Sequence, residues 1–155
     1  MSIAKNSPDQ GNEDFDYDLL PGLIGYNLRK AQAAAFQDFS ESLKGCDITP
    51  GQFGVLVLIA ANSGLNQTRL GNALGIDRST VVAVIDRLEG RGLVAREPAP
   101  SDRRSYALRL TEQGRTLLHR ARGLVVAHEA RIAKGLNSKE QAQLIKLLSR
   151  LGGPD

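Results

Sequence analysis

A chain of 155 residues with 41% hydrophobic side chains holds enough apolar material for one packed domain and is not disordered by composition. Its single cysteine, Cys46, excludes an intrachain disulfide and a multi-thiolate zinc site. The net charge of +3 is unevenly spread: −4 over residues 1–20, zero over 21–65, +3 over 66–110 and +4 over 111–155, with all eight cations between 66 and 110 being arginine. Arginine carries the planar fork that suits phosphate and guanine, so the bias points toward nucleic acid.

In chain order, residues 1–16 read as an acidic, flexible, solvated tail, lacking the cationic start and apolar run of a signal peptide. The longest apolar run, Val55 to Ala61, falls short of the ~20 residues that span a bilayer, which makes the chain a cytoplasmic protein by expectation. Leu20, Ile24, Leu28, Ala31, Ala35, Phe39 and Leu43 recur at helical spacing. They predict a long first helix with Pro21 in its first turn, ending before Gly45. Thr49, Pro50 and Gln52 make a capping box that starts a second helix running to about Asn62. Asn66 caps a short third helix ending near Leu74, and Asp77 caps a fourth running to Glu89.

Beyond Gly92 the apolar period becomes alternating. "LVARE" and "SYALRL" predict two strands around a proline-containing turn, with Tyr106, Leu108 and Leu110 on one face. Thr111 then caps a second long helix, ending at Gly135, with Leu117, Ala121, Leu124, Val125, His128 and Ile132 on one side. Ser138 with Gln141 reads as a capping box for a last helix whose Leu144, Ile145, Leu148 and Leu151 face inward.

A two-stranded ribbon is marginal alone, so this one leans on the helices before it. The fold class is mainly α with a two-stranded β-wing, a winged helix-turn-helix. Ala73 is the small residue where the two helices touch, Gly75 makes the tight turn, and Ile76 is a buried aliphatic before the second helix. There Val81, Val84, Ile85 and Leu88 are spaced to face the core, leaving Arg78, Ser79, Thr80, Val82, Ala83 and Arg87 outward or oblique. Such a surface suits a major groove: arginine forks onto guanine, the hydroxyls meet base edges or phosphates, and Ala83 or Val82 meets a thymine methyl. The bland alternative is an amphipathic helix with a polar cap.

The tip "APSDRRS" carries adjacent Arg103 and Arg104, which cannot both be buried, with Asp102 placed to orient one of them and Pro98 and Pro100 stiffening the approach. A ribbon beside a recognition helix meets the adjoining minor groove, whose negative potential attracts inserted arginine.

The ordered set "LGIDRSTVVAVIDRLEGRGLVAREPAPSDRRSYALRLTEQG" closely resembles the MarR family of dimeric winged-helix repressors. It includes the family's Asp-x-Arg wing motif, here Asp102 to Arg104, and the "LT..G" entry to the following long helix. The resemblance, from about Asp18 onward, implies a single domain over 17–155. Helices within 17–45 and 111–151 would dimerise, and 49–110 would form the winged helix-turn-helix. It further implies a homodimer on a palindromic operator in double-stranded DNA, and a small-molecule pocket between the dimerisation and DNA-binding parts. The terminal helices, rich in Leu and Ala, do carry more apolar face than a monomer of this size requires. On this basis Arg78, Ser79, Thr80 and Ala83 read bases, and Arg87 and Arg96 contact backbone. Arg103 or Arg104 enters the minor groove, and the family pattern favours Arg104.

Tyr17 to Gln32, "YDLLPGLIGYNLRKAQ", resembles the opening of the subgroup that controls hydroxycinnamate breakdown and responds to the aryl-CoA thioester. That resemblance implies no cofactor but a small aromatic effector such as p-coumaroyl-CoA. Tyr26, Phe36 and Phe53 would line the ring's pocket, and Arg29, Lys30 and Arg131 would hold the CoA phosphates. The alternative puts those aromatics in the core and those cations on a solvated face. Two further readings stay open: oxidant sensing through Cys46, otherwise a small buried hydrophobe, and a winged-helix protein-interaction module that binds no DNA. Enzyme readings find no support. His119 and His128 lie on one helix but about 180° apart around it, no glycine-rich phosphate loop is present, and His128 on the apolar stripe reads as a core histidine.

Overall fold

The computed structural model describes residues 15–99 and 102–152. The acidic tail up to residue 14 and Pro100 lie outside the described residues, as do the side chains of Asp102, Arg103 and Arg104. By its internal contacts the chain divides into two units, Met1–Ala34 and Ala35–Asp155.

In the first unit Pro21 does not open the long helix. It sits in a separate 3-10 turn, Leu20–Gly22, after which Leu23 is extended and helix α1, Ile24–Ser42, begins. The Asn27 carboxamide explains the break, since it donates to the carbonyls of Pro21 (2.9 Å) and Leu23 (2.8 Å) and ties the turn to the new helix.

The second unit holds the core. Helix α2, Pro50–Ala61, is launched by the expected capping box, with Thr49 Oγ1 accepting from Gln52 N at 3.2 Å and Gln52 Oε1 accepting from Thr49 N at 3.1 Å. Asn66 caps α3, Gln67–Leu74, and Asp77 caps α4, Arg78–Gly90. Leu56, Leu70, Ile85 and Leu88 are fully buried where α2, α3 and α4 meet. Gly75 makes the turn at φ +63°, a left-handed conformation that suits glycine. The small residue at the helix crossing is Gly71, not the expected Ala73, which is exposed. A Cβ on Gly71 would lie 3.0 Å from Val81 Cγ2 and 3.1 Å from Ile76 O, so α4 packs against α3's backbone there. Ile76 itself is half-buried.

Strands β1, Val94–Ala99, and β2, Asp102–Leu110, pair antiparallel with Val94 opposite Leu110 and Arg96 opposite Leu108. Val94, Leu108 and Leu110 join the core, whereas Tyr106, on the same face, is 56% exposed because the ribbon has by then run past the core's edge. Leu108 N donates to Leu65 O at 2.7 Å, fixing the ribbon's base to the loop between α2 and α3. Helix α5, Glu112–Ile132, starts at Thr111, whose Oγ1 accepts from Gly114 N (3.0 Å) and donates to Gly92 O (2.6 Å).

The last helix, α6, spans Ser138–Leu148, and its cap lies one residue earlier than the expected Ser138 and Gln141. Asn137 Oδ1 accepts from Lys139 N and Glu140 N, both at 3.0 Å, and Glu140 Oε2 accepts from Asn137 N at 2.8 Å. Both pairs have capping-box spacing, and the carboxylate makes the stronger, charge-assisted return bond. Leu144, Ile145, Leu148 and Leu151 do not face inward: all are exposed, Ile145 by 69%. Among the described residues, no helix is long and apolar enough to cross a membrane.

Candidate nucleic-acid interface

The first turn of α4 is organised by one carboxylate. Asp77 Oδ1 caps the helix by accepting from Thr80 N at 3.0 Å, and it also accepts from Ser79 Oγ at 2.5 Å. Asp77 Oδ2 accepts from Thr80 Oγ1 at 2.6 Å. The Ser79 and Thr80 hydroxyls, with the Thr80 amide, hold the Asp77 carboxyl well below the usual carboxylate range. Val81, Ile85 and Leu88 point into the core, which turns the opposite face to solvent. Ser79, Thr80, Ala83 and Arg87 are exposed there and Val82 is half-buried, while Arg78, also exposed, sits at the first position of the helix on the side of Val81 and Ile85. Ser79, Thr80 and Ala83, expected on bases, therefore share one surface with Arg87, expected on backbone.

Arg96, expected on a phosphate, is used internally. Its guanidinium meets Asp86 at 2.6 Å and also pairs with Glu89, both on α4, and only 20% of its side chain is exposed. Those contacts outweigh the desolvation of the partly buried group and raise the arginine's pKa. Arg96 thus ties the wing to the recognition helix, because two carboxylates from α4 already take up its fork. Arg109 pairs with Glu97 across the ribbon at 3.0 Å. Arg91, which sequence reasoning gave no role, donates to the carbonyls of Cys46 (3.0 Å) and Asp47 (2.5 Å), anchoring the end of α4 to the α1–α2 loop. A partner so distant in sequence leaves no local signal.

The expected effector residues are differently disposed. In the first unit, Arg29 and Lys30 each lie 5.7 Å from the centroid of the Tyr26 ring. In the second, Phe36 is 51% exposed, and half-buried Phe53 packs edge-on against Phe39 at 6.3 Å. Arg131, expected on the CoA phosphates, is engaged within the chain: its Nε and Nη2 fork onto Asp38 at 3.1 and 3.0 Å and it also donates to Ser42, with half of its side chain exposed. Arg131 and then His128 are the main groups holding the Asp38 carboxyl well below the usual range. His128 is a satisfied core histidine, with Nδ1 2.7 Å from Asp38 Oδ1 and its ring edge-on to Phe39 at 5.4 Å. Cys46 is 3% exposed within the core, a setting that gives an oxidant little access to the thiol. Among the described residues, no cluster of three or more His, Cys, Asp or Glu side chains is placed to hold a metal ion.

Comparison with known proteins bears on this geometry directly. The profile of the MarR family matches residues 48–106, which run from the α1–α2 loop into β2. Over 133 residues the chain is 38% identical to a candidate transcriptional regulatory protein for the hcr operon of Thauera aromatica, covering 85% of this chain and 80% of that one. It is similar to the transcriptional repressor CouR bound to a 23-mer DNA duplex, with a TM-score of 0.85 and 42% identity over 91% of this chain and 100% of that one. It is likewise similar to CouR bound to p-coumaroyl-CoA, with a TM-score of 0.83 and 38% identity over 92% of this chain and 100% of that one. With its helix-turn-helix, its wing and these relatives, the chain belongs to the MarR family and is a winged-helix transcriptional regulator, not an enzyme.

Proposed function

We propose that the protein is a homodimeric repressor of an operon for aromatic, hydroxycinnamate-type catabolism, released from a palindromic operator by an aryl-CoA thioester such as p-coumaroyl-CoA. The observation that carries this reading is the likeness, over 91% and 92% of the chain, to CouR in its DNA-bound and p-coumaroyl-CoA-bound structures. On α4, Arg78, Ser79, Thr80 and Ala83 face bases and Arg87 faces a phosphate. The family's wing motif, Asp102 to Arg104, supplies the arginine that enters the minor groove, Arg104 by the family pattern. Within the second unit Phe36 and Phe53 receive the aromatic acyl group of the thioester, whose CoA moiety carries the phosphates. Those phosphates bring several negative charges near a basic DNA-binding surface, and the repulsion weakens the operator complex.

Duplex affinity followed against salt tests the DNA half of this reading. Each phosphate contact contributes about −0.9 to the slope of log affinity against log salt, so a steep slope is expected. A protein-interaction module would show no salt-sensitive duplex affinity. Arg104→Ala is expected to cost about 1–3 kcal/mol of operator binding with folding and dimerisation intact; unchanged affinity would remove the wing from the interface.

A further inference from the structure

Asp77 is a carboxylate, so it can only accept hydrogen bonds. Its contacts with Ser79 Oγ at 2.5 Å and Thr80 Oγ1 at 2.6 Å are therefore bonds in which each hydroxyl gives up its single hydrogen. What Ser79 and Thr80 then present to solvent is lone pairs alone. Phosphate oxygens are acceptors too, as are guanine N7 and O6 and thymine O4. The donors on base edges in the major groove are the amino groups of adenine (N6) and cytosine (N4). Both side chains are exposed at the start of α4, the turn that meets base edges when a recognition helix enters the groove.

We infer that Asp77 fixes Ser79 and Thr80 as acceptor-only readers, which select adenine or cytosine through the exocyclic amine and take no part in phosphate contacts. This deepens the proposed function and rests on the reading that α4 enters the major groove. Asp77 acts as a positioning residue: it polarises the two hydroxyls and locks their rotamers without itself reaching the DNA. Beside them Arg78 supplies donors only, so the same turn of helix offers guanine a donor fork next to two acceptor points. Specificity then arises from refusal as well as attraction, because a guanine or thymine opposite Ser79 or Thr80 sets oxygen against oxygen.

The test begins by selecting the preferred duplex from a random-sequence pool with the wild-type dimer. Each adenine of that duplex is then replaced by purine, which lacks the N6 amine, and each cytosine by 2-pyrimidinone, which lacks the N4 amine. At one or two positions per half-site the replacement is expected to weaken wild-type binding about fivefold to tenfold, the scale of one net hydrogen bond. In Ser79→Ala or Thr80→Val, neither of which alters the core, the same replacement is expected to change affinity less than about twofold. Asp77→Asn, which keeps a good cap but whose amide returns a hydrogen to one hydroxyl, is expected to bind the selected duplex and to discriminate less against guanine and thymine there. Wild-type binding unaffected by any replacement, or a penalty that persists in both hydroxyl variants, would overturn the inference and leave the proposed function standing. A wild-type protein with no salt-dependent affinity for any duplex would overturn both.

Discussion

A Cβ built on Gly114 would lie 2.0 Å from Leu93 O, closer than any side chain can come to backbone. The glycine of the "LT..G" motif is there because α5 begins directly against the carbonyl that also receives the Thr111 amide at 3.1 Å. Gly114→Ala is expected to destabilise the fold by about 3 kcal/mol, read as a lower urea midpoint at unchanged slope. Asp38 and Asp77 give a second prediction at this scale. Their folded-state pKa values are depressed, so their contribution is fully present above the unfolded value of about 3.9 and is lost as pH falls below it. The thermal midpoint is expected to fall progressively as pH drops through about 4 and to go on falling well below pH 3, and the double variant Asp38→Asn, Asp77→Asn should flatten that fall. Caps such as Thr49, Asn66, Asp77 and Thr111 were legible in the sequence because capping depends on residues within one turn. Gly71 and Asn137 were not, because neighbouring Ala73 and Ser138 meet the same local rules and only packing or bond strength separates the candidates.

At the scale of elements, the wing is held by β-pairing, by the Leu108–Leu65 bond and by Arg96 reaching two carboxylates of α4. The order of helices and strands followed from apolar period and turn residues alone, since those signals are local. The uses of Arg96 and Arg131 did not, because an arginine's partner on another element leaves no mark in its neighbours. Arg131 meets Asp38 from 93 residues away. Arg96→Ala is expected to speed amide exchange along β1 and β2 while leaving α4 protected. It should also weaken duplex binding with the salt slope unchanged, since Arg96 contacts carboxylates here. A slope shallower by about 0.9 would instead mark it as a phosphate contact.

For the whole molecule, the exposed apolar residues of α6 and of the α5–α6 region matter most. Ile132, Leu136, Leu144, Ile145, Leu147, Leu148 and Leu151 are all at least 36% exposed, a concentration of large apolar side chains of the kind that marks an association surface. Apolar periodicity in the sequence put Ile132, Leu144, Ile145, Leu148 and Leu151 on apolar stripes expected to face inward, and within this chain they are exposed, because periodicity cannot say whether a stripe is covered by the same chain or by a second copy. A homodimer accounts for them, and Ile145→Glu is expected to halve the mass seen in sedimentation. The effector half of the account is tested most directly by affinity for duplex DNA from the region upstream of the protein's own gene, measured with p-coumaroyl-CoA, with free p-coumarate and with neither. The thioester is expected to weaken binding about tenfold or more while the free acid leaves it within about twofold; equal effects of the two ligands, or no effect of either, would overturn release by the thioester.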